Sequence, residues 1–264
     1  MSLTAPAVIR AADLLAGARS RGNVLEALPQ DCRPTDEHDA YAIQARGHEL
    51  ARQAGRGARV GWKIGCTTPV MQELVGVDSP CAGGVLADAL FHQQASFDLK
   101  TLRRPGIECE IAVRLASDAD AGPYDAFRVA GHVAEVMAAM EVVDDRYADF
   151  RALTGPDLIA DDFFQAACLL GPAVSDWSGL DLTRLAGRTT VNGEPRGQGV
   201  GADVMGHPFA ALAWLADLRL RQGSCLKAGD VVLTGSVVAT QWLDGPATAV
   251  TEIEGLGSVT ARFK

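Results

Sequence analysis

The most regular alternation of polar and apolar positions lies between residues 104 and 115, and it predicts a β-strand. Successive side chains on a strand point to opposite faces, so Glu108 and Glu110 share one face and Cys109 lies on the other. Two neighbouring carboxylates repel each other unless a cation or a basic group lies between them. The face of Cys109 is predicted to be core, because its other residues are apolar: Ile107, Ile111 and Val113.

The first quarter of the chain has apolar positions at helical spacing. One helix is predicted from about residue 7 to Arg21-Gly22, and a second from an N-capping Thr35 to about Gln53. Neither helix carries obvious chemistry. We therefore expect a helical N-terminal segment over residues 1–57, packed on a main domain over residues 58–264.

Two further helices are predicted later in the chain. Apolar spacing after the Gly122-Pro123 break predicts a helix over residues 125–139. His207-Pro208 opens another helix, which ends at Gly223, and His207 is expected to cap or pack rather than to bind a ligand. A short helix or lid is predicted over residues 67–73.

Runs of β-branched residues bounded by turn residues predict the remaining strands. Asn192-Gly193 predicts a two-residue hairpin turn within residues 180–204. Residues 149–158 are predicted to be a loop, and residues 159–171 fit either a helical turn or a strand. The other predicted strands cover residues 59–65, 81–86, the surroundings of Phe97, 140–146, 231–236 and 258–263.

Composition narrows the functional classes. The net charge of -9 at pH 7 argues against non-specific nucleic-acid binding. There is no apolar run of membrane-spanning length, and the N-terminus lacks a basic region followed by an apolar one, so we expect no membrane segment and no signal peptide. The six cysteines show no metal or redox spacing, which fits core residues of a protein in the reducing cytoplasm.

The paired glutamates have two interpretations. Oxygen-only ligands suit a hard divalent ion such as Mg2+ or Mn2+, whereas an edge strand with a solvated acidic face gives the same pattern. Glu141 follows on a later predicted strand and shares a face with apolar Val143, and a carboxylate in that setting needs a partner. Spacing alone leaves both interpretations open.

Three other sites carry polar groups in unusual positions. Lys63, between bulky apolar residues, is either a solvated surface lysine or a partly desolvated group that binds a carboxylate or transfers protons. Asp78 is either a turn acceptor or a catalytic carboxylate on a mobile loop. Residues 234–236, Thr-Gly-Ser, are either an ordinary strand end or an oxyanion-binding group of hydroxyls and backbone N–H. A structural ion-pair cluster is expected at Asp144, Asp145 and Arg146.

Six short segments are more informative together than apart. In chain order they are Gly61-Trp-Lys-Ile-Gly65, Gly76-Val-Asp78, Ile107-Glu-Cys-Glu-Ile-Ala112, Met140-Glu-Val-Val-Asp144, Gly206-His-Pro208 and Gly229-Asp-Val-Val-Leu-Thr-Gly-Ser236. This ordered set resembles the 2-keto-4-pentenoate hydratase and 4-oxalocrotonate decarboxylase group of the fumarylacetoacetate hydrolase superfamily. The resemblance extends from the first helix to the closing segment, residues 256–263.

The resemblance implies an α+β fold: a mixed β-roll of the fumarylacetoacetate hydrolase C-terminal type, with flanking helices and the helical N-terminal segment. It implies a divalent ion, Mg2+ or Mn2+, held by three matched ligands: Glu108, Glu110 and Glu141. Lys63 matches the lysine near the substrate, and Asp78 matches the aspartate of the lid, so both are expected to be catalytic. Three residues are expected to bind substrate: Thr234, Ser236 and Gln165.

One stretch departs from the group. Small polar residues follow the Ala-Asp pair in hydratases, whereas this chain continues from Asp161 with Asp162, Phe163, Phe164 and Gln165. Two phenylalanines would narrow the pocket or make it more apolar. The departure therefore bears on the substrate and the reaction but not on the metal ligands.

The resemblance implies a lyase of aromatic-compound catabolism that adds water to a 2-hydroxy-2,4-dienoate and gives a 4-hydroxy-2-oxo acid. The alternatives are a 4-oxalocrotonate-type decarboxylase and a fumarylacetoacetate-like C–C hydrolase, the latter disfavoured because no histidine lies within residues 67–73. The acidic triad and Lys63 argue against a non-catalytic scaffold. Expected partners are a small 2-oxo acid substrate and other copies in a cytoplasmic homo-oligomer, with a decarboxylase or hydratase of the same pathway as an open option.

Overall fold

The computed structural model describes residues 2–264, and of Arg21 only the backbone. The helices are α1 (Ala5–Arg21), α2 (Glu37–Gln53), α3 (Pro69–Val75), α4 (Ala126–Ala130), α5 (Gly155–Ala160) and α6 (Pro208–Arg221). The strands are β1 (Arg59–Gly65), β2 (Cys81–Leu86), β3 (Leu90–His92), β4 (Gln94–Phe97), β5 (Pro105–Leu115), β6 (Val133–Asp144), β7 (Gln165–Leu170), β8 (Ala186–Val191), β9 (Glu194–Val200), β10 (Val231–Trp242), β11 (Ala247–Ile253) and β12 (Gly257–Phe263).

Local side chains fix where the long helices begin. An N-terminal turn has backbone N–H groups without helical partners, and a capping side chain satisfies one of them. Asp36 caps α2 by accepting from the N–H of Asp39 at 2.9 Å, so the cap lies one residue after the predicted Thr35. His207 caps α6, since its Nδ1 accepts from the N–H of Phe209 at 2.9 Å. The capping role predicted for His207 is therefore confirmed.

The strands form two sheets. A seven-stranded sheet has the order β2-β1-β10-β5-β6-β7-β3, and a five-stranded sheet has the order β4-β12-β11-β8-β9. Most neighbours are antiparallel, but β1 and β10, β3 and β7, and β4 and β12 pair in parallel. The mixed sheets with flanking helices confirm the predicted α+β fold class.

The two faces of β5 have different surroundings. The face of Cys109 is core, as predicted, and all four of its residues are 0% exposed: Ile107, Cys109, Ile111 and Val113. The other face carries Glu108 and Glu110, next to a small apolar cluster that includes Ala112, Met137 and Leu233. The paired carboxylates thus lie inside the protein, and the edge-strand interpretation is wrong.

The helix predicted over residues 125–139 is wrong. Only Ala126–Ala130 is helical, and the chain continues into the twelve-residue strand β6. This strand lies between β5 and β7. Its last nine residues are all buried, so both faces of the strand are covered. A strand covered on both faces reads as a continuous apolar run, which periodicity does not separate from a buried helix.

Other local predictions had mixed outcomes. The hairpin at Asn192-Gly193 is confirmed by the pairing of β8 with β9. The loop predicted over residues 149–158 is partly wrong, because α5 begins there behind a capping box of Thr154 and Asp157. Strand β11 was not predicted, and residues 159–171 divide into the end of α5, a turn and β7.

The expected cluster at residues 144–146 divides into separate structural contacts. Asp144 accepts from the backbone N–H groups of Arg103 and Arg104, and Asp145 pairs with the side chain of Arg104 at 3.2 Å. Arg146 instead pairs with Asp161 at 2.8 Å. Each group is satisfied by a structural partner, as the sequence suggested, but the three do not form one cluster.

Cysteine placement agrees with the expected core role. All six cysteines are free, with Cys225 partly exposed and the other five buried: Cys32, Cys66, Cys81, Cys109 and Cys168. Within residues 2–264, none of the helices combines the length and the apolar character that a membrane crossing needs.

Candidate active site

Glu108, Glu110 and Glu141 meet on one face of two neighbouring strands. The antiparallel register of β5 and β6 places Glu108 directly opposite Glu141, and the two-residue period of β5 adds Glu110 on the same face. One carboxylate oxygen from each residue lies within 4.8 Å of those of the other two. The strand register therefore brings the three predicted ligands together.

The carboxylate oxygens of this triad are only partly satisfied. Glu110 and Glu141 are 0% exposed, while Glu108 is half-buried. Glu110 Oε2 accepts from the N–H of Gly235 at 2.7 Å, and Glu108 Oε1 accepts from the Thr240 hydroxyl at 2.5 Å. Glu110 Oε1 and both oxygens of Glu141 have no hydrogen-bond partner, although Glu141 Oε1 lies within ion-pair distance of Lys63.

Buried carboxylate oxygens without partners are costly, so a site that contains them is suited to a cation. Three carboxylates that converge within a few ångströms, with free oxygens facing one another, are the donor set that Mg2+ and Mn2+ bind. The residues present therefore fit a hard divalent ion.

Lys63 lies beside the triad and is 2% exposed. Lys63 pairs with Leu233 on β10, and Leu233 pairs with Ala112 on β5. The Lys63 side chain therefore lies on the sheet face that carries the glutamates. Its Nζ lies 3.3 Å from Glu141 Oε1 and donates to the main-chain oxygen of Phe163 at 2.6 Å. The alternative of a solvated surface lysine is wrong.

Gly83 makes room for this lysine. It is the partner of Lys63 on the adjacent strand β2. A Cβ at position 83 would lie 2.7 Å from the main-chain oxygen of Asp162 and 3.0 Å from Lys63 Cε. Glycine is therefore required where the lysine crosses the sheet to reach Glu141.

Burial and mutual repulsion set the pKa values of the cluster. Burial raises the pKa of Glu110 well above 4.5, and the charges of Glu141 and Glu108 raise it further. For Glu141 burial again dominates, and although Lys63 lowers the pKa, it stays raised at about 7. Burial lowers the pKa of Lys63, but the three glutamates outweigh burial and raise it above 10.5. The metal-free cluster thus retains protons that a bound cation would displace.

The two hydroxyls predicted to bind substrate donate hydrogen bonds to main-chain carbonyls instead. Thr234 is 0% exposed and donates to the carbonyl of Ile111 at 2.8 Å. The Ser236 hydroxyl lies 2.6 Å from the carbonyl of Val238, in a region where the β10–β5 register is irregular. The residue between them, Gly235, supports Glu110. In this structure the Thr-Gly-Ser segment shapes the triad, and its two hydroxyls do not face open space as free donors.

Gln165 and Asp78 lie apart from the triad contacts. Gln165 is buried at the start of β7 and lines a cavity of about 430 Å³, on the side of the N-terminal helices. Asp78 is exposed in the turn after α3, the helix predicted as a short helix or lid. Among residues 2–264, no ion pair connects Asp78 with Lys63. The structure therefore assembles the triad with Lys63 but leaves Asp78 outside that assembly.

Three contacts of the site could not be inferred from residue types. The carbonyl of Phe163 and the N–H of Gly235 are main-chain groups, which every residue has and which no motif marks. Thr240 is one of several hydroxyl residues on β10, and only the tertiary fold places it on Glu108. Asp162, which the sequence marks as a polar residue amid aromatics, proves to be buried and ion-paired.

Comparison with known proteins gives consistent likenesses. Residues 85–264 match the family described as "Fumarylacetoacetate (FAA) hydrolase C-terminal". A 2-keto-4-pentenoate hydratase from Burkholderia vietnamiensis strain G4 is 36% identical over 246 residues, which cover 93% of each chain. A 2-hydroxyhexa-2,4-dienoate hydratase from Comamonas testosteroni is 33% identical over 242 residues, covering 87% of this chain and 89% of the relative.

A solved structure shares the whole fold. It is a 4-oxalocrotonate decarboxylase from Pseudomonas putida G7, complexed with magnesium and adipate. The TM-score is 0.93 at 27% sequence identity, and the match covers 100% of this chain and 99% of the other. The likeness therefore includes the N-terminal helices as well as the sheets.

Proposed function

Because the chain belongs to the fumarylacetoacetate hydrolase family, we propose that it is a hydratase that adds water to a 2-hydroxy-2,4-dienoate and releases a 4-hydroxy-2-oxo acid. Membership confirms the resemblance found in the ordered motifs. The observation that carries the proposal is the buried triad with unpartnered carboxylate oxygens beside Lys63. The names of the two hydratase relatives support the same reaction class.

The metal ligands in this proposal are Glu108, Glu110 and Glu141. A divalent ion, Mg2+ or Mn2+, would supply a Lewis acid for the carboxylate and 2-oxo group of the substrate. Gly235 and Thr240 fix the orientation of two of the ligands through their hydrogen bonds. The magnesium complex of the structurally similar decarboxylase supports a divalent ion as the cofactor.

Lys63 is the proposed proton donor or carboxylate-binding group. Its ammonium is desolvated, lies against Glu141 and is held by the Phe163 carbonyl, so its position is fixed. A positioned acid of this kind transfers a proton to the dienoate chain or holds its carboxylate.

The other residues predicted to act in the site have supporting roles in the proposal. Asp78 lies on the turn after α3, and we place it on the lid that brings a second carboxylate to the bound substrate. Gln165, Thr234 and Ser236 are proposed to border the substrate, the latter two through the strand segment that they stabilise. A homo-oligomer in the cytoplasm belongs to the same proposal.

Decarboxylation is the second candidate. The whole-chain likeness to a 4-oxalocrotonate decarboxylase favours it. The same ligands and Lys63 would then serve a vinylogous 2-oxo acid that loses carbon dioxide.

An ultraviolet time course with product masses separates the two reactions. Metal-stripped protein and protein loaded with Mg2+ or Mn2+ are offered 2-hydroxypenta-2,4-dienoate and 4-oxalocrotonate in separate reactions. The proposal expects metal-dependent gain of water by the dienoate. Metal-dependent loss of carbon dioxide without hydration would transfer the assignment to the decarboxylase, and no turnover with metal bound would contradict both.

A further inference from the structure

Three consecutive residues between α5 and β7 have left-handed backbone conformations. The φ angles are 55° at Asp162, 48° at Phe163 and 67° at Phe164. This region is unfavourable for residues with a side chain, and it is normally visited by single residues, most often glycine. Phenylalanine has no polar side chain that could stabilise the conformation locally. The surrounding structure must therefore hold this left-handed turn, residues 162–164, in place.

The N-terminal helices supply part of this hold, alongside main-domain contacts from Gly84 and from Arg146, which donates to the carbonyl of Phe164 at 3.3 Å. Asp162 Oδ1 accepts from His48 Nε2 of α2 at 2.7 Å and from the N–H of Gly84 at 2.8 Å. Asp162 Oδ2 lies 3.4 Å from Arg19 of α1. Burial alone would raise the pKa of Asp162, but His48 and Arg19 outweigh it and keep the pKa below its ordinary value. The carboxylate therefore remains charged and anchored from both helices.

Packing on the side of the helices is incomplete beside Asp162, although Phe163 belongs to an apolar cluster with residues of both N-terminal helices. The cavity of about 430 Å³ there is lined by Arg19, His48, Asp162 and Gln165, among other residues. The Asp162 end of the turn borders this cavity, so it has room to relax once its polar anchors are removed. The His48–Asp162 contact therefore contributes more to the shape of the turn than a contact in a filled core would.

What the turn supplies to the site is a main-chain oxygen and an aromatic face. The carbonyl of Phe163 accepts from Lys63 Nζ at 2.6 Å, and the Phe163 ring centroid lies 5.2 Å from the same nitrogen. The other contact of Nζ is Glu141, at 3.3 Å. If the turn relaxed, the carbonyl would move away and Lys63 would lose its single hydrogen-bond acceptor on that side.

We propose that His48 and Asp162 are positioning residues, through which the N-terminal helices lock the left-handed turn and thereby fix the ammonium of Lys63 against Glu141. Neither residue touches the triad, so each acts through the Phe163 carbonyl. The catalytic part of this inference rests on the hydratase function proposed above. The placement of Lys63 does not, and it is measured separately.

Lysine labelling reports that placement directly. The chain has four lysines, and Lys63 is buried while the other three are exposed: Lys100, Lys227 and Lys264. An amine-reactive acetylating reagent followed by peptide mapping gives the rate at Lys63 relative to these internal references. Metal-free protein is used, so the readout needs neither substrate nor activity.

The variants separate positioning from general loosening. His48→Leu and Asp162→Asn break the contact, while His48→Gln keeps an N–H donor on a side chain of similar length. Arg33→Gln is the matched control, because Arg33 ties the segment before α2 to Asp157 of α5 at 2.6 Å and has no contact with the turn.

Both disrupting variants are expected to raise the relative labelling of Lys63 by about tenfold, while His48→Gln and Arg33→Gln stay near wild type. In hydratase assays the same two variants are expected to lower kcat by about tenfold or more with KM little changed. Unchanged Lys63 labelling in folded His48→Leu and Asp162→Asn would overturn the proposal, and so would an equal rise in Arg33→Gln. If wild type hydrates no dienoate, the proposed function fails, and the labelling result still decides the positioning role.

Discussion

Glu108 and Glu141 lie directly opposite each other across β5 and β6, both on the face that Lys63 reaches from β1. Directly opposed carboxylates are destabilising unless a cation separates them. Lys63 supplies one positive charge, and Glu110 adds a third carboxylate, so the metal-free cluster has more acidic than basic groups. A bound divalent ion would balance this excess.

Replacing Glu110 by glutamine should separate metal binding from folding. The raised pKa of Glu110 favours its neutral acid in the metal-free protein, and glutamine resembles that form and can still accept from Gly235. We expect the thermal midpoint of metal-free Glu110→Gln to stay close to wild type, while affinity for Mn2+ falls by about 100-fold or more. Differential scanning calorimetry and titration calorimetry measure the two effects. Wild-type Mn2+ affinity in this variant would exclude Glu110 as a ligand.

The pH dependence of metal-free stability follows from Glu141. Its pKa is raised from 4.5 to about 7 by burial, so the folded protein holds a proton that the unfolded chain releases. The stabilisation from the neutral acid is fully present below pH 4.5 and is lost as pH rises through about 7. In the presence of a chelator, the free energy of unfolding of wild type relative to Glu141→Gln should therefore decline as the pH rises from 4.5 to about 7. Urea unfolding of both proteins measures it, and a relative stability that rises with pH would contradict the assignment.

Gly83 should not tolerate a side chain. A Cβ would meet the Asp162 carbonyl and Lys63 Cε at 2.7 and 3.0 Å, so Gly83→Ala must displace the turn or the lysine. We expect a loss of about 1–3 kcal/mol in the free energy of unfolding and lower hydratase activity. The matched control is Gly47→Ala in α2, where a Cβ meets no atom within 4 Å and should stabilise by about 0.5–1 kcal/mol. Equal behaviour of the two variants in urea would refute the packing argument.

Thr240 should affect the metal affinity of the site without being a metal ligand itself. Its hydroxyl donates to Glu108 Oε1 at 2.5 Å and orients that carboxylate. Thr240→Val keeps the shape and removes the donor, so the affinity for Mn2+ should fall about 10- to 100-fold with little change in stability. Thr248→Val, at an exposed position of β11, is the control. A Thr240→Val variant that binds Mn2+ as tightly as wild type would show that Glu108 needs no such support.

Local rules were sufficient for several features whose partners are close in sequence. The two-residue period placed Glu108 and Glu110 on one face and Ile107 and Ile111 in the core, and the structure agrees. Capping and turn chemistry likewise identified His207 and the Asn192-Gly193 hairpin.

What local rules missed depends on long-range packing. Strand β6 was assigned in part to a helix because both of its faces are buried. The Lys63 contact with the Phe163 carbonyl joins residues 100 positions apart and uses a main-chain atom, which leaves no pattern in the sequence. The ligand set itself came from the ordered motifs rather than from spacing, which left two interpretations open.

The most direct test of the account is turnover of 2-hydroxypenta-2,4-dienoate by wild type and Glu108→Ala, side by side, in saturating Mg2+ or Mn2+, with the product identified by mass. The account predicts that wild type forms the hydrated 4-hydroxy-2-oxo acid and that the variant, although folded, forms none above background, because one of the three ligands is missing. Full activity in folded Glu108→Ala would contradict the claim that this triad holds the ion on which hydration depends.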